Sequence, residues 1–317
     1  MATSFSPSNS VTTTTGATFI PEIWSDEIIA AYKKNLVLAN LVMKMNFKGK
    51  KGDTIHIPAP TRGSASAKAA EAAVTLIAAT ESEVTVSINK HYEYSRLIED
   101  IVEAQALNSL RNFYTSDAGY ALAKQVDTDL VQLGRSTNGG AGTNAYATGA
   151  FIGGDGTTAY VAASNNESAL TDAAIRRTIQ RLDDTDTPMD QRFFLIPPSS
   201  RNTLMGLARY TEQAFVGGTN STIRTGEIGN LYGIPVFVSS NCDTASGSAA
   251  ARVCIMGHRD AVVLVEQVAV RSQVQYKQEY LATLFTSDTL YGVQILRSAA
   301  SVSAAKSASM FALLVPA

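Results

Sequence analysis

Apolar side chains recur at positions 101, 104, 107, 110, 114, 118, 122, 126, 130 and 133, and no proline interrupts residues 98–134. A spacing of three or four throughout is the period of an amphipathic helix. At 1.5 Å per residue a single helix of this length would run roughly 55 Å. Asn108 and Gly119 are points where it could divide into two shorter ones. The residues before it follow a different period. Ile55 and Ile57 alternate with polar residues ahead of Pro58 and Pro60, and Val84, Val86 and Ile88 alternate on the way back through EVTVSINKHYEYS. Between them lies a small-residue run, SASAKAAEAA. This predicts a long two-stranded excursion with a polar tip over 47–95. An isolated pair of strands is marginal in water, so it needs a surface to lie on.

The first eighteen residues contain ten Ser or Thr and read as an arm that cannot order itself by burial. From Pro21 the pattern becomes helical, with Ile23, Trp24, Ile28, Ala31 and Tyr32 near one face. Residues 134–165 are glycine-rich and read as a loop or hairpin. A second helix is predicted over 168–182, with Leu170, Ala174, Ile175, Ile179 and Leu182 on one side. Thereafter short apolar strands dominate: RFFLIPP, GIPVFVSS, ARVCIMGH, AVVLVEQVAVRSQ, a run at 280–284, YGVQILRS and SMFALLVPA, with one short helix, SSRNTLMGLAR, among them. The class is α+β.

Composition narrows the function. Apolar residues are 45% of 317, ample for a core, while charged residues are only 17%, against roughly 25% in a typical soluble domain. Twenty-six bases against 28 acids give a net charge of −2, which excludes binding to nucleic acid by bulk phosphate neutralisation. Low charge suits a chain that covers much of its surface with copies of itself, because interface cores are depleted in charge. No apolar run approaches the ~20 residues that span a bilayer, and no signal peptide is visible, so the expectation is a soluble, intracellular chain.

Candidate chemistry is sparse. His56, His91 and His258 are not spaced for a metal, and Cys242 and Cys254 lack a base or helix N-terminus that would activate a thiol. The glycines of 139–157 lack the G-K-[ST] ending of a phosphate loop. The run DDTDTPMD has a proline where a calcium loop needs freedom and no closing glutamate, so it reads as a solvated turn. No cofactor is expected. An enzyme whose site is assembled from scattered residues is the alternative of a different class, and it should run as a discrete small oligomer.

The order of elements resembles the tailed-bacteriophage major capsid protein, the shell fold also called HK-ninety-seven-like. HYEYSRLIEDIVEAQALNSL is similar to the strand that leads from that family's extended loop into its spine helix, and ALAKQVDTDLVQLG to the end of the helix. GEIGNLYGIPVFVSSN resembles the axial-domain stretch, with Gly226, Gly229, Gly233 and Pro235 in place. The resemblance implies an N-terminal arm and short helix at 1–46, an extended loop at 47–96, and a spine helix with a peripheral-domain excursion at 97–167. It further implies an axial domain at 168–261 and a return to the peripheral domain at 262–317. The arm and loop would cross to neighbouring subunits.

The function implied is self-assembly, through hexamers and pentamers, into an icosahedral shell that encloses double-stranded DNA without reading its sequence. The place implied is the virion capsid, with assembly in the host cytoplasm. Implied partners are a portal, a decoration protein and, because no helical scaffolding segment is read ahead of the arm, a separate scaffolding protein, with a scaffolding segment already cleaved away as the alternative. No membrane is involved. An encapsulin-like compartment holding a cargo enzyme is the alternative within the fold. Inter-subunit contacts are expected at Trp24, Lys50, Lys51, Arg62, Arg96 and Glu99, with solvated surface charge as the alternative for each charged one.

Overall fold

The computed structural model describes residues 37–49, 51–60, 63–71, 73–74, 76, 81–101, 110–134, 151–161, 164–207, 229–242, 251–296 and 309–317. The predicted arm, the helix after Pro21 and residues 135–150 lie outside them.

The chain enters with a single helical turn, α1 (Leu38–Leu41), and β1 (Met43–Asn46). The excursion follows as β2 (Thr54–Pro60) and β3 (Glu81–Ser87), paired antiparallel with Thr54 opposite Ser87. β4 (Lys90–Glu99) and helix α2 (Leu110–Gly134) come next. β5 (Phe151–Ile152), α3 (Asp172–Asp184), β6 (Arg192–Ile196), α4 (Pro198–Met205), β7 (Asn230–Leu231), β8 (Ile234–Val238) and β9 (Ala251–His258) form the middle of the chain. It closes with β10 (Val262–Lys277), β11 (Ala282–Ile295) and β12 (Met310–Pro316).

Two sheets organise these elements. The six-stranded sheet has the order β5-β12-β9-β6-β8-β7. Its central strands read as continuous apolar runs because both faces are covered. Phe193 and Leu195 of β6 join Val253, Ile255, Ala312 and Leu314 in a core shared with Leu130 and Val131 of α2. Phe194 and Ile196 join Cys254, Met256, Phe311 and Leu313 on the opposite face, under Ala174, Ile175 and Leu182 of α3. Helix α3 begins where Thr171 accepts a hydrogen bond from the Ala174 amide, four residues later than the predicted start.

The second sheet has the order β1-β10-β11-β4, with β1 parallel to β10 and the other pairs antiparallel. Here the structure corrects two expectations. The return strand through 81–95 is two strands in two sheets. The Ile88 amide donates to the Asp53 carbonyl at 2.7 Å, closing the β2–β3 pair, and from Lys90 the chain pairs with β11 instead. Gly292 permits the transfer, since a Cβ there would stand 2.5 Å from the Ser87 carbonyl oxygen. The long helix also loses Ile98 and Glu99, which pair with Thr283 and Ala282 at the end of β4. From 110 onward the helix is continuous, and Gly119 does not break it. The range 262–317 is divided between the sheets: β10 and β11 lie in the four-stranded one, β12 in the six-stranded one.

Candidate functional site

The excursion does not hang free at its root. Val86 and Ile88 pack with Val263 and Val265 of β10, and Met43, Met45, Phe47, Ile55 and Ile57 close around them. The marginal hairpin therefore takes part of its required surface from the chain's own sheet. Further out it presents side chains that this chain does not cover: Val74 is 68% exposed and Leu76 88%. His56 meets Glu83 across the pair at 3.0 Å on the exposed part of the hairpin.

A second extension leaves the body along β10, β11 and β4. Helix α2 covers one face of it. The Tyr94 hydroxyl donates to Asp117 of the helix at 2.9 Å, and burial is the main cause raising the Tyr94 pKa. On the other face, Glu93, Ser95, Leu97 and Glu99 of β4 are exposed, as are Arg271, Gln273 and Gln275 of β10. Arg271 grips Asp288 with two hydrogen bonds of 2.8 Å, and His91 approaches the same carboxylate at 3.2 Å. The far end, where β10 turns into β11, carries Tyr280 and Leu281, 63% and 67% exposed, beside Ile101 at 65%. Leu281 holds a left-handed backbone, φ 44°, that a bulky side chain rarely adopts.

Where the two extensions meet the body, acidic side chains of α2 tie the sheets together. Asp129, buried, accepts from the Tyr291 hydroxyl at 2.7 Å, Gln125 at 3.1 Å and the Lys90 ammonium at 3.1 Å. Asp127 accepts from the Ala39 amide and from Asn241. A polar cavity of about 390 Å³ opens beside Lys90 and Asp129, lined also by Thr85, Asn89, Gln132 and Gln294. Among the described residues its lining has no His or Cys.

Of the residues expected at subunit contacts, Trp24, Lys50 and Arg62 lie outside the described residues. Lys51 is exposed in the turn leading to β2, and Glu99 is exposed at the end of β4. Arg96 is exposed but engaged. Its Nε donates to the Tyr94 hydroxyl at 3.1 Å, and its guanidinium stands 5.0 Å from the centre of the Tyr114 ring. It therefore joins the strand to α2. The structure does not bring Lys51 and Glu99 together. The apolar tip at Ile101, Tyr280 and Leu281 had no sequence signal beyond an apolar pair beside a turn.

Cys242 and Cys254 are buried, which pushes both thiols up, Cys254 to about 12. Among the described residues, no group of three His, Cys, Asp or Glu is placed to hold a metal ion. Nor is any helix there long and apolar enough to cross a membrane.

What the molecule offers is therefore surface: two sheet extensions reaching out from a sealed body. The model of the phage capsid family matches residues 16–304. The chain belongs to the phage capsid family. As a capsid protein it is a structural component of the virion shell, and its fold matches solved capsids along almost the whole length. A structure from Mycobacterium phage Che8 is 21% identical with a TM-score of 0.72, covering 93% of this chain and 97% of that one. The capsid structure of cyanophage P-SCSP1u is 19% identical with a TM-score of 0.72, covering 99% of both chains. The mature capsid of bacteriophage PhiM1 is 13% identical with a TM-score of 0.67, covering 93% of this chain and 92% of that one. No curated protein matches the sequence. The cargo-compartment alternative draws no support from these matches.

Proposed function

We propose that this capsid protein self-assembles, through hexamers and pentamers, into an icosahedral shell that encloses double-stranded DNA. The observation that carries the reading is the pair of extensions. Each is too exposed to be justified by the fold of one chain, and each becomes useful when copies lie side by side. In this reading 1–46 is the crossing arm with its short helix, 47–96 the extended loop, and 97–167 the stretch that carries the spine helix and a peripheral-domain excursion. The axial domain is 168–261, and 262–317 is the return. Trp24, Lys50, Lys51, Arg62 and Glu99 serve contacts between subunits, while Arg96 acts by stiffening β4 against α2. A scaffolding protein guides assembly, a portal replaces one pentamer, and a decoration protein caps the outside. Assembly takes place in the host cytoplasm. A net charge of −2 fits a wall that contains DNA without gripping it.

Negative-stain microscopy of the purified chain, with nuclease-resistant nucleic acid measured on the same sample, tests the reading. Closed shells carrying protected DNA are expected. Discrete small particles at every salt and concentration would overturn it. Deletion of residues 1–18 is expected to lower the melting temperature of the shell while leaving that of the unassembled chain unchanged.

A further inference from the structure

The acids at the far end of the β10–β11 extension and the lysines at the hairpin root are complementary, and one chain cannot bring them together. Glu99 and Glu279 are exposed at the far end, and neither makes an ion pair among the described residues. They flank the uncovered apolar group of Ile101, Tyr280 and Leu281. Leu281 is kept in a left-handed conformation although its exposed side chain adds nothing to the core. Strain of this kind, with no return in the chain's own packing, marks a position held for a contact.

The opposite charge sits in the segment Lys48, Gly49, Lys50, Lys51, Gly52, where three of five residues are lysine. Gly49 and Gly52 take positive φ, 77° and 136°, a backbone region that suits glycine. Lys48 is held by Glu266 at 3.0 Å, and Gln267 fixes the Gly52 carbonyl at 2.9 Å. Lys51 is exposed and makes no ion pair among the described residues. The turn is thus anchored at Glu266, while the acidic end begins at Lys277, eleven residues along the same strand. At about 3.3 Å per residue the two lie roughly 35 Å apart.

We propose that the acidic, apolar end of the β10–β11 extension docks beside Lys51 of a second copy, with Glu99 and Glu279 facing that lysine. The inference rests on the shell reading above and names one contact within it. The contact is head-to-tail, since a different patch is used on each partner. Such contacts close rings or extend arrays rather than stopping at a pair. Side chains of this number bury far less than the roughly 800 Å² per partner of a contact that stands alone. It therefore operates only among many copies.

Charge reversal tests the pairing. Glu99→Lys and Lys51→Glu are each expected to lower the yield of shells about tenfold, by placing like charges in contact. The melting temperature of the unassembled chain should stay unchanged, because both residues are exposed. Combining the two reversals should recover most of the yield. Single variants with unchanged yield, or a combined variant no better than the singles, would overturn the pairing.

A second variant carries Glu99→Cys and Lys51→Cys. Its new thiols are too far apart to bridge within one chain, since a disulfide needs Cα atoms within about 7 Å. The natural cysteines are buried. Oxidised shells of this variant should give disulfide-linked multimers under denaturing electrophoresis. Shells that form but remain unlinked overturn the docking alone. A wild-type chain that never associates overturns the shell reading and the docking with it.

Discussion

Strand β10 lives in two environments along its own length. Val262, Val263, Leu264 and Val265 are buried between β1 and β11, while every residue from Val270 to Tyr276 is exposed. The six-stranded sheet extends the buried condition: all five residues of β6 are buried, as are all of β9 except Arg252. The difference separates two tasks. The body is held by apolar burial on both faces of one sheet. The extension is held by backbone pairing, one covering helix and exposed polar side chains. Beyond Glu266 its outer edge has no strand partner among the described residues. Such an edge is ordinarily a liability, an open template for pairing. In a capsid protein it is a place where a neighbour can sit.

If the two regions differ in this way, equivalent truncations must differ most of all. Phe194→Ala empties a fully buried site in the core it shares with Ile196, Met256 and Phe311 and should destabilise the unassembled chain by about 3–5 kcal/mol. Val274→Ala, at a position 53% exposed, should change it by less than about 0.5 kcal/mol. Urea unfolding of the two variants side by side reads both numbers, and similar losses would break the comparison.

Gly292→Ala probes the border between the regions. The added Cβ would meet the Ser87 carbonyl oxygen and the Ile88 Cα, backbone atoms that cannot step aside as a side chain can. A loss of about 1–3 kcal/mol is expected. Hydrogen exchange should rise in β2 and β3 and stay unchanged in β6 and β9. Faster exchange in the body instead would show that hairpin and body unfold as one unit.

This border is also where the sequence stops being legible. Runs such as RFFLI and MFALLV announce strands buried on both faces, and the alternation at 55–57 and 84–88 announces the hairpin, because each signal is local. The break after Ile88 is not local. Ile88 continues the alternation of Val84 and Val86, and what ends the pairing is the close approach of Gly292. The claim of β4 on Ile98 and Glu99 is likewise decided by Thr283 and Ala282, against a helical period that reads smoothly through them. Sequence position puts Lys51 and Glu99 beside the loop, and both side chains are exposed there. It could not reveal that Arg96 is taken up by Tyr94 and Tyr114, because Tyr114 reaches it only through the packing of α2 on the sheet. Leu281 left no trace, since left-handed turns are signalled by glycine or asparagine, and here the residue is leucine.

The smallest expected effect concerns the charges on the open face of the extension. Asp288 is held at about 2, chiefly by the hydrogen bond from Arg271, with His91 adding to it; Glu93 stands opposite on β4. An unfolded aspartate titrates near 3.9, at about the usual value. The native state therefore releases the proton more readily, and the stabilisation is complete above about pH 4 and lost as the pH falls from about 4 to 2. Arg271 is 57% exposed, so screening should keep the contribution at neutral pH below about 1 kcal/mol. Asp288→Asn should accordingly lower the urea midpoint slightly at pH 6 and hardly at all at pH 2.5, and 1 M salt should shrink the difference at pH 6. A large, salt-insensitive loss at pH 6 would mean that Asp288 belongs energetically to the body. The boundary between the two regions would then lie further along β10 than its burial indicates.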